Sequence, residues 1–345
     1  MKSRLSFAFG ILVAVGCSAH GSGFDDGGSG DGASPDGFLP SGDGGFGDSS
    51  PPGDGGPPGV TTVYANTDTT LYTLNPQNNA VTMVGDFAGV GGSSSDTNVT
   101  DLAVNSAGDV YVNTESVVYK AAVPASPGKV QLTKIASIAV KSGQYFYALA
   151  FTPAGSLDPS EILIGGDGNG ELFSIDTSSG ATRDLGNFGA DPSHSTYDFA
   201  LSGDLVFYSD AQGNPTGLAT VRPCKPKSST CMTGNDYLVA VDMAALATAY
   251  KSSTPAASLL KGIYGGSASA DGPGTGYGDL FGLGAWEGNV FAFARKTTAN
   301  VTPLLLTISP TTGQATVVSS NFSFTDGWSG AGVTTSATIT VPPPN

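Results

Sequence analysis

Apolar and polar residues alternate over short stretches through most of the chain after residue 60. Clear examples are Leu71–Leu74, Asp109–Val112 and Glu171–Ile175. The stretches are rich in Val, Leu, Tyr, Phe and Thr, and turns that contain glycine separate them. A period of two is typical of strands with one buried face, whereas a helical period is found only in Met243–Tyr250. The sequence therefore predicts an all-β fold with one short helix.

One strand-like element recurs along this region, in which apolar and small residues follow an acidic or apolar first position. Its five copies are Asp101–Val104, Ala148–Phe151, Asp198–Leu201, Asp279–Gly282 and Asp326–Ser329. Successive copies begin 47, 50, 81 and 47 residues apart. A repeat of roughly 45–50 residues with about four short strands in each unit is typical of a β-propeller.

A second recurring element is a strand, a turn and a Thr-rich strand. Its most complete copy is Leu172–Gly180, which reads Leu-Phe-Ser-Ile-Asp-Thr-Ser-Ser-Gly. This copy resembles the blades of bacterial propellers in which Leu-Tyr-x-Ile-Asp-x-x-Thr-Gly recurs. The resemblance covers residues 60–341 and implies an architecture, not an activity.

The two ends of this region complement each other. Thr61–Val84 has the pattern of outer strands with no inner strand before them, and Trp328–Thr335 has the pattern of an inner strand with no outer strands after it. Together they would form one blade, so that N- and C-terminal strands close the ring and leave few free sheet edges. Five inner strands predict five blades. Six blades are the alternative if the long fourth repeat contains another sheet, and an irregular β-sandwich is the competing fold.

The first 17 residues have the features of a signal peptide. Lys2 and Arg4 precede the apolar run Leu5–Val15, which is too short to span a bilayer as a helix. The next residues, Ala14–Cys17, resemble the bacterial lipobox, in which small residues precede a lipidated cysteine. The resemblance implies a lipoprotein that carries diacylglycerol and palmitate on Cys17. Ordinary signal-peptidase cleavage after residue 19 is the alternative.

The resemblance also implies a location in the bacterial cell envelope. Ser18 follows the cysteine instead of the Asp that commonly retains such lipoproteins at the inner membrane. We therefore expect a lipid anchor in the outer membrane, with the side of the membrane left open.

Residues 18–59 form a segment of low complexity. They contain 15 Gly, 6 Pro and 7 Asp and no Lys or Arg. Such a segment has too little apolar surface to offset the entropy lost on ordering, so it is predicted to be a disordered tether.

Charge excludes some classes of partner. The whole chain has a formal net charge of −15, with only 14 basic residues. This balance argues against nucleic-acid binding and against polybasic docking to anionic lipid. The chain has 2 His, too few for a site built from several histidines.

Cysteine usage predicts one disulfide. Cys224 and Cys231 lie in an insertion near residues 211–236 that accounts for the length of the fourth repeat. Six intervening residues in a Pro, Ser and Lys context indicate a disulfide-closed surface loop in an oxidising compartment, and this spacing excludes a Cys-x-x-Cys zinc site. If these two pair, Cys17 is the third cysteine and carries the lipid.

Four of the five inner elements begin with an aspartate, namely Asp101, Asp198, Asp279 and Asp326. Equivalent positions of a propeller lie near one mouth of the central channel, where their carboxylates would converge. Three readings stay open: each Asp caps the turn into its strand, together they hold a divalent cation such as Ca²⁺, or two of them act as the acid and the nucleophile or base of a glycosidase. No other cofactor is indicated.

The sequence favours a non-enzymatic binding or structural propeller, displayed from the envelope on a flexible tether. We expect a monomer whose partners are the membrane, through the lipid, and a protein or glycan that the sequence does not identify. A carbohydrate-active hydrolase using paired aspartates near the propeller axis is the alternative function.

Overall fold

A computed structural model describes residues 62–91, 96–138, 145–210, 212–226, 230–264, 275–296, 302–310 and 312–339. The predicted signal peptide, Cys17 and the tether lie outside the described residues. Within those described residues, no helix has the length and apolar character needed to cross a membrane.

The described chain contains strands and one helix, as the alternating pattern predicts. In chain order the elements are β1 (Val63–Asn66), β2 (Thr70–Asn75), β3 (Ala80–Ala88), β4 (Asp101–Val104), β5 (Val110–Asn113), β6 (Val117–Ala122), β7 (Val130–Ser137), β8 (Phe146–Thr152), β9 (Ile162–Asp167), β10 (Glu171–Ile175), β11 (Thr182–Asn187), β12 (Asp198–Asp210), β13 (Pro215–Cys224), β14 (Tyr237–Val241), α1 (Met243–Ser252), β15 (Leu260–Tyr264), β16 (Leu280–Trp286), β17 (Asn289–Ala294), β18 (Leu304–Ile308), β19 (Ala315–Ser319), β20 (Gly330–Gly332) and β21 (Thr338–Ile339).

The strands form antiparallel groups of four that follow chain order. Three groups are β8 to β11, β12 to β15 and β16 to β19, the second of which also pairs with β21. A sheet of eight strands contains β4 to β7 and the set β20-β1-β2-β3, which are joined where β3 pairs in parallel with β7. The all-β prediction is confirmed.

The first and last parts of the described chain share one sheet. β1 pairs with β20 in antiparallel register, with Tyr64 opposite Gly332 and Asn66 opposite Gly330. The backbone N–H of Ser329 also donates to the carbonyl of Asn66 at 2.8 Å. The predicted closure by terminal strands is therefore present, although the last inner strand begins at Gly330 and not at Asp326.

The first strands of the groups surround one axis. β4 contacts β8, β8 contacts β12, β12 contacts β16, β16 contacts β20, and β20 contacts β4. This closed circle of inner strands, each followed outward by antiparallel partners, is the arrangement of a β-propeller.

The fourth repeat is long because β12 and β13 have 13 and 10 residues and because it also contains α1. β12 and β13 form a hairpin that continues as far as Cys224, so β13 occupies much of the range in which the sequence predicts a loop. The predicted helix is α1, whose N-cap Asp242 accepts hydrogen bonds from the N–H groups of Ala244 and Ala245, both at 3.0 Å. Its buried residues, Leu246 and Ala249, belong to the core cluster that also contains residues of the sheets β8 to β11 and β12 to β15.

Candidate functional site

A pocket of about 440 Å³ lies at one end of the axis. Each inner strand contributes at least one lining residue, which lies directly before the strand or in its first half. These residues are Thr100, Tyr147, Ala200 to Gly203, Phe281 and Ser329. The pocket is therefore the mouth of the central channel on the side where the inner strands begin. Ligand pockets in proteins commonly occupy roughly 300–1,000 Å³, so this one has room for a small molecule.

Beneath the pocket, Asp101 lies fully buried on the axis. Its carboxylate accepts N–H hydrogen bonds from Leu102 in its own strand, Leu149 in β8 and Ala331 in β20, at 2.8, 2.6 and 3.1 Å. Inner strands have no partner strand on the axial side, so a carboxylate here satisfies N–H groups that would otherwise be buried and unpaired. Asp101 thus connects three inner strands.

A second carboxyl group, Asp204, lies fully buried beside the first and forms a hydrogen bond with Asp101. It accepts N–H hydrogen bonds from Leu205 at 2.5 Å and from Leu283 in β16 at 2.6 Å. Together the two residues, called the axial pair below, connect all five inner strands.

Burial raises the pKa of Asp204 to about 8 and raises that of Asp101 well above its usual range. The proximity of Asp204 raises the pKa of Asp101 further. Two carboxylates cannot both ionise cheaply when they share a buried site, so the axial pair holds a proton between its oxygens at neutral pH.

Asp204 reaches the axis through an irregularity in β12. The register with β13 shifts between Leu201 and Leu205, which leaves Ser202, Gly203 and Asp204 out of regular pairing. Gly203 is required there because a Cβ atom would lie 1.8 Å from the carbonyl oxygen of Leu280. Asp204 stands in the middle of a strand, so the repeats give no signal for it; the Ser-Gly-Asp triplet, which is typical of a bulge, is the sequence feature that marks it.

The structure gives the four predicted aspartates separate surroundings. Asp101 belongs to the axial pair, and Asp279 lines the pocket and forms an ion pair with Arg222 at 2.9 Å. Asp198 is half-buried at the start of β12, opposite Cys224, and Asp326 is exposed and accepts a hydrogen bond from Thr325. Of the four, Asp101 is the one whose side chain accepts the hydrogen bonds described above from the backbone of neighbouring inner strands.

No group of three or more His, Cys, Asp or Glu side chains within the described ranges is arranged to hold a metal ion. The Ca²⁺ site at Asp101, Asp198, Asp279 and Asp326 stays a prediction.

Two arginines line the pocket, and each contacts a carboxylate. Arg222 donates to Asp236 at 2.8 Å as well as to Asp279, and Arg295 donates to Asp68 at 2.8 Å. Burial opposes the charge of Arg222, but the two carboxylates outweigh this effect and raise its pKa. Arg222, which falls in the range near residues 211–236 where the sequence predicts an insertion, therefore lies in β13 within an ion-pair network.

Another part of the pocket lining is acidic and aromatic. It contains Asp96 and Glu115 together with Tyr147 from β8. Burial and the nearby Asp96 raise the pKa of Glu115. Loops contribute both acids, and neither belongs to a repeated motif, so the repeats give no signal for either residue.

The disulfide between Cys224 and Cys231 is present, and both residues line the pocket. The two cysteines also form an isolated antiparallel bridge of backbone hydrogen bonds. The predicted pairing is confirmed, and it fixes the segment after β13 at the pocket rim.

No family model matches this sequence, and no curated protein sequence does either. Similar solved structures include a protein of unknown function from Bacteroides caccae, at 9% identity and a TM-score of 0.37, over 79% of this chain and 97% of that one. Others are the Dos1 propeller, at 12% identity and a TM-score of 0.36 over 78% of this chain and 58% of that one, and the Pan2 WD40 domain of Neurospora crassa, at 11% and 0.36 over 74% and 61%. At these levels of similarity, the propeller assignment depends on the sheet topology of the chain itself.

Proposed function

We propose that the chain is a five-bladed propeller that acts as a non-enzymatic binding module, and that its ligand is a small polar molecule held at the mouth of the axis. The closed circle of five inner strands supports five blades, with β20, β1, β2 and β3 forming the blade that contains both termini.

The observation that carries the binding role is the pocket itself. It has room for a small molecule, all five inner strands contribute to it, and its walls include carboxylates, two arginines and aromatic rings. A rigid concave site with convergent polar groups is the usual form of a ligand site.

The axial pair gives little support to the hydrolase alternative. A glycosidase needs two carboxyl groups that reach opposite sides of the scissile bond. Asp101 and Asp204 are fully buried and accept backbone hydrogen bonds, so they are sealed from a sugar in the pocket. Their arrangement supports a structural role.

Binding at the pocket can be tested with a variant that fills its mouth. Asn98 is exposed and lines the pocket, so Asn98→Trp should obstruct entry without disturbing the core. Gln77→Trp, in the exposed β2–β3 turn, is the matched control. In a thermal-shift screen with a library of small polar metabolites and oligosaccharides, we expect ligands that stabilise the wild type and Gln77→Trp by several degrees but not Asn98→Trp. Equal shifts in all three proteins, or no shift with any compound, would contradict the proposal.

We further propose that Cys17 anchors the protein in the outer membrane and that residues 18–59 hold the propeller away from the lipid surface. The lipobox-like residues Ala14–Cys17 and the composition of the tether support this proposal. Replacing Cys17 by alanine should move the protein from the membrane fraction to the soluble fraction of the envelope, with Ser18→Ala as the control. Unchanged fractionation of Cys17→Ala would exclude the lipid anchor.

A further inference from the structure

Two carboxylates on one side of the pocket lack a cationic partner among the residues that the structure describes. Asp96 is only 6% exposed; its Oδ2 accepts a hydrogen bond from Ser116 Oγ at 2.8 Å, and its Oδ1 is buried without a hydrogen-bond partner within the described ranges. Glu115 lies close enough to be affected by the charge of Asp96. A buried carboxylate oxygen without a hydrogen bond is costly, so this side of the pocket is incomplete in the absence of a donor.

Two other acids of the pocket each have the cationic partner that the described residues do not give to Asp96 and Glu115. Asp68 forms an ion pair with Arg295, and Asp279 forms one with Arg222. No arginine, lysine or histidine forms an ion pair with Asp96 or Glu115 in the described part of the chain. The unbalanced negative charge is therefore confined to one wall.

Aromatic rings lie beside these carboxylates. The backbone carbonyl of Glu115 accepts a hydrogen bond from the N–H of Phe146 at 3.1 Å, which places the acid next to the first residues of β8. Tyr145 and Tyr147 flank Phe146, are 47% and 40% exposed, and have ring centroids 6.4 Å apart. Exposed aromatic rings near carboxylates form a favourable environment for an organic cation.

We propose that this wall, formed by Asp96, Glu115 and Tyr147, binds the primary ammonium group of a small ligand. An ammonium group supplies three hydrogen-bond donors and a positive charge, which suit the incompletely partnered carboxylate of Asp96 and the carboxylate of Glu115, and the charge interacts with the ring of Tyr147. A metal ion fits less well, because the described residues contain no set of three metal-ligating side chains here. This inference rests on the proposed binding role of the pocket.

The first test compares two molecules of nearly equal shape. Putrescine carries ammonium groups where 1,4-butanediol carries hydroxyls, and both are small enough for the pocket. In calorimetric titrations of the full protein at neutral pH, we expect putrescine to bind at least 10-fold more tightly than the diol. Equal affinity, or no binding of putrescine, would overturn the inference, and so would displacement of putrescine by an equimolar amount of CaCl₂.

Variants assign the binding to this wall. Glu115→Gln should weaken putrescine at least 10-fold, while Asp109→Asn should leave it unchanged because Asp109 is an exposed residue paired with Lys120 and does not line the pocket. Tyr147→Phe keeps the ring and should retain binding, whereas Tyr147→Leu should weaken it several-fold. Unchanged affinity in Glu115→Gln would contradict the assignment even if the protein folds normally.

The outcomes separate this inference from the proposed function. If a neutral library compound stabilises the wild type but not Asn98→Trp, and putrescine does not bind, the ammonium site is wrong and the binding role stands. If neither putrescine nor any library compound binds, both proposals fail.

Discussion

The free energy of unfolding should fall by several kcal/mol as the pH rises from about 4 to about 8, at roughly 1 kcal/mol per pH unit. The cause is the axial pair. Burial raises the pKa of Asp204 from its usual 3.8 to about 8 and also raises that of Asp101, so the folded protein retains a proton that the unfolded chain releases. The stabilisation is complete below the unfolded pKa and is lost as the pH passes the folded one. Urea unfolding at several pH values, followed by circular dichroism, measures it.

Other carboxylates act in the opposite direction but in a different pH range. Hydrogen bonds from the hydroxyls and N–H groups of Ser178 and Ser179 lower the pKa of Asp176, and Asn214 does the same for Asp210. Their contributions disappear as the pH falls below about 4. The range from 4 to 8 therefore isolates the axial pair from these groups.

The variant Asp204→Asn tests the assignment. Its amide can donate to Asp101 but cannot ionise, so the loss of stability between pH 4 and 8 should become much smaller than in the wild type, and the raised pKa values of Glu115 and Asp236 account for what remains. Asp198→Asn, at the start of the same strand, should retain the wild-type slope. A wild-type profile that is flat or rises over this range would show that the axial pair does not hold a proton.

The second large effect concerns Trp328, whose replacement by alanine should lower the free energy of unfolding by about 3–5 kcal/mol. Trp328 is fully buried directly before β20. Its ring packs against Tyr72, Phe293, Phe322 and Phe324, with centroid distances of 5.4, 5.1, 5.2 and 4.6 Å. These residues come from β2, β17 and the segment before β20. The cavity left by the alanine variant would therefore lie where β20 meets β2 of its own sheet and β17 of the neighbouring sheet.

The phenylalanine variant is the matched control for this cavity. Trp328→Phe keeps an aromatic ring in the cluster and should cost about half as much or less. Both variants should be measured by denaturant unfolding followed by circular dichroism, because the substitution removes one of the 2 tryptophans and alters fluorescence. A loss below about 1 kcal/mol in Trp328→Ala would mean that the aromatic cluster collapses to fill the space or contributes little.

The architecture was predictable because repeated units bury similar faces. Strand alternation and the spacing of Asp101–Val104 and its relatives indicated the inner strands, and the incomplete elements at Thr61–Val84 and Trp328–Thr335 indicated their pairing. The boundary of β20 was less predictable, since a strand of 3 residues has too few positions to show alternation. In the fourth repeat, the sequence predicts a loop over a range in which β13 continues as far as Cys224.

The site was less predictable, because its geometry depends on contacts that a repeat does not encode. Asp101 was selected for its place at the start of a strand, yet its partner is Asp204, which a local bulge in β12 turns toward the axis. Asp96 and Glu115 come from loops that differ between repeats. The disulfide could be predicted because the spacing of Cys224 and Cys231 indicates a short closed loop.

The pairing of β1 with β20 also governs when the protein can complete its fold. Tyr64 and its partner Gly332 are 268 residues apart in the sequence. Contacts between segments this distant in sequence form late, because closing a long loop costs entropy that local contacts do not. The ring of sheets can therefore close only after β20 has been synthesised, so the contacts within each single sheet can form before the circle is complete.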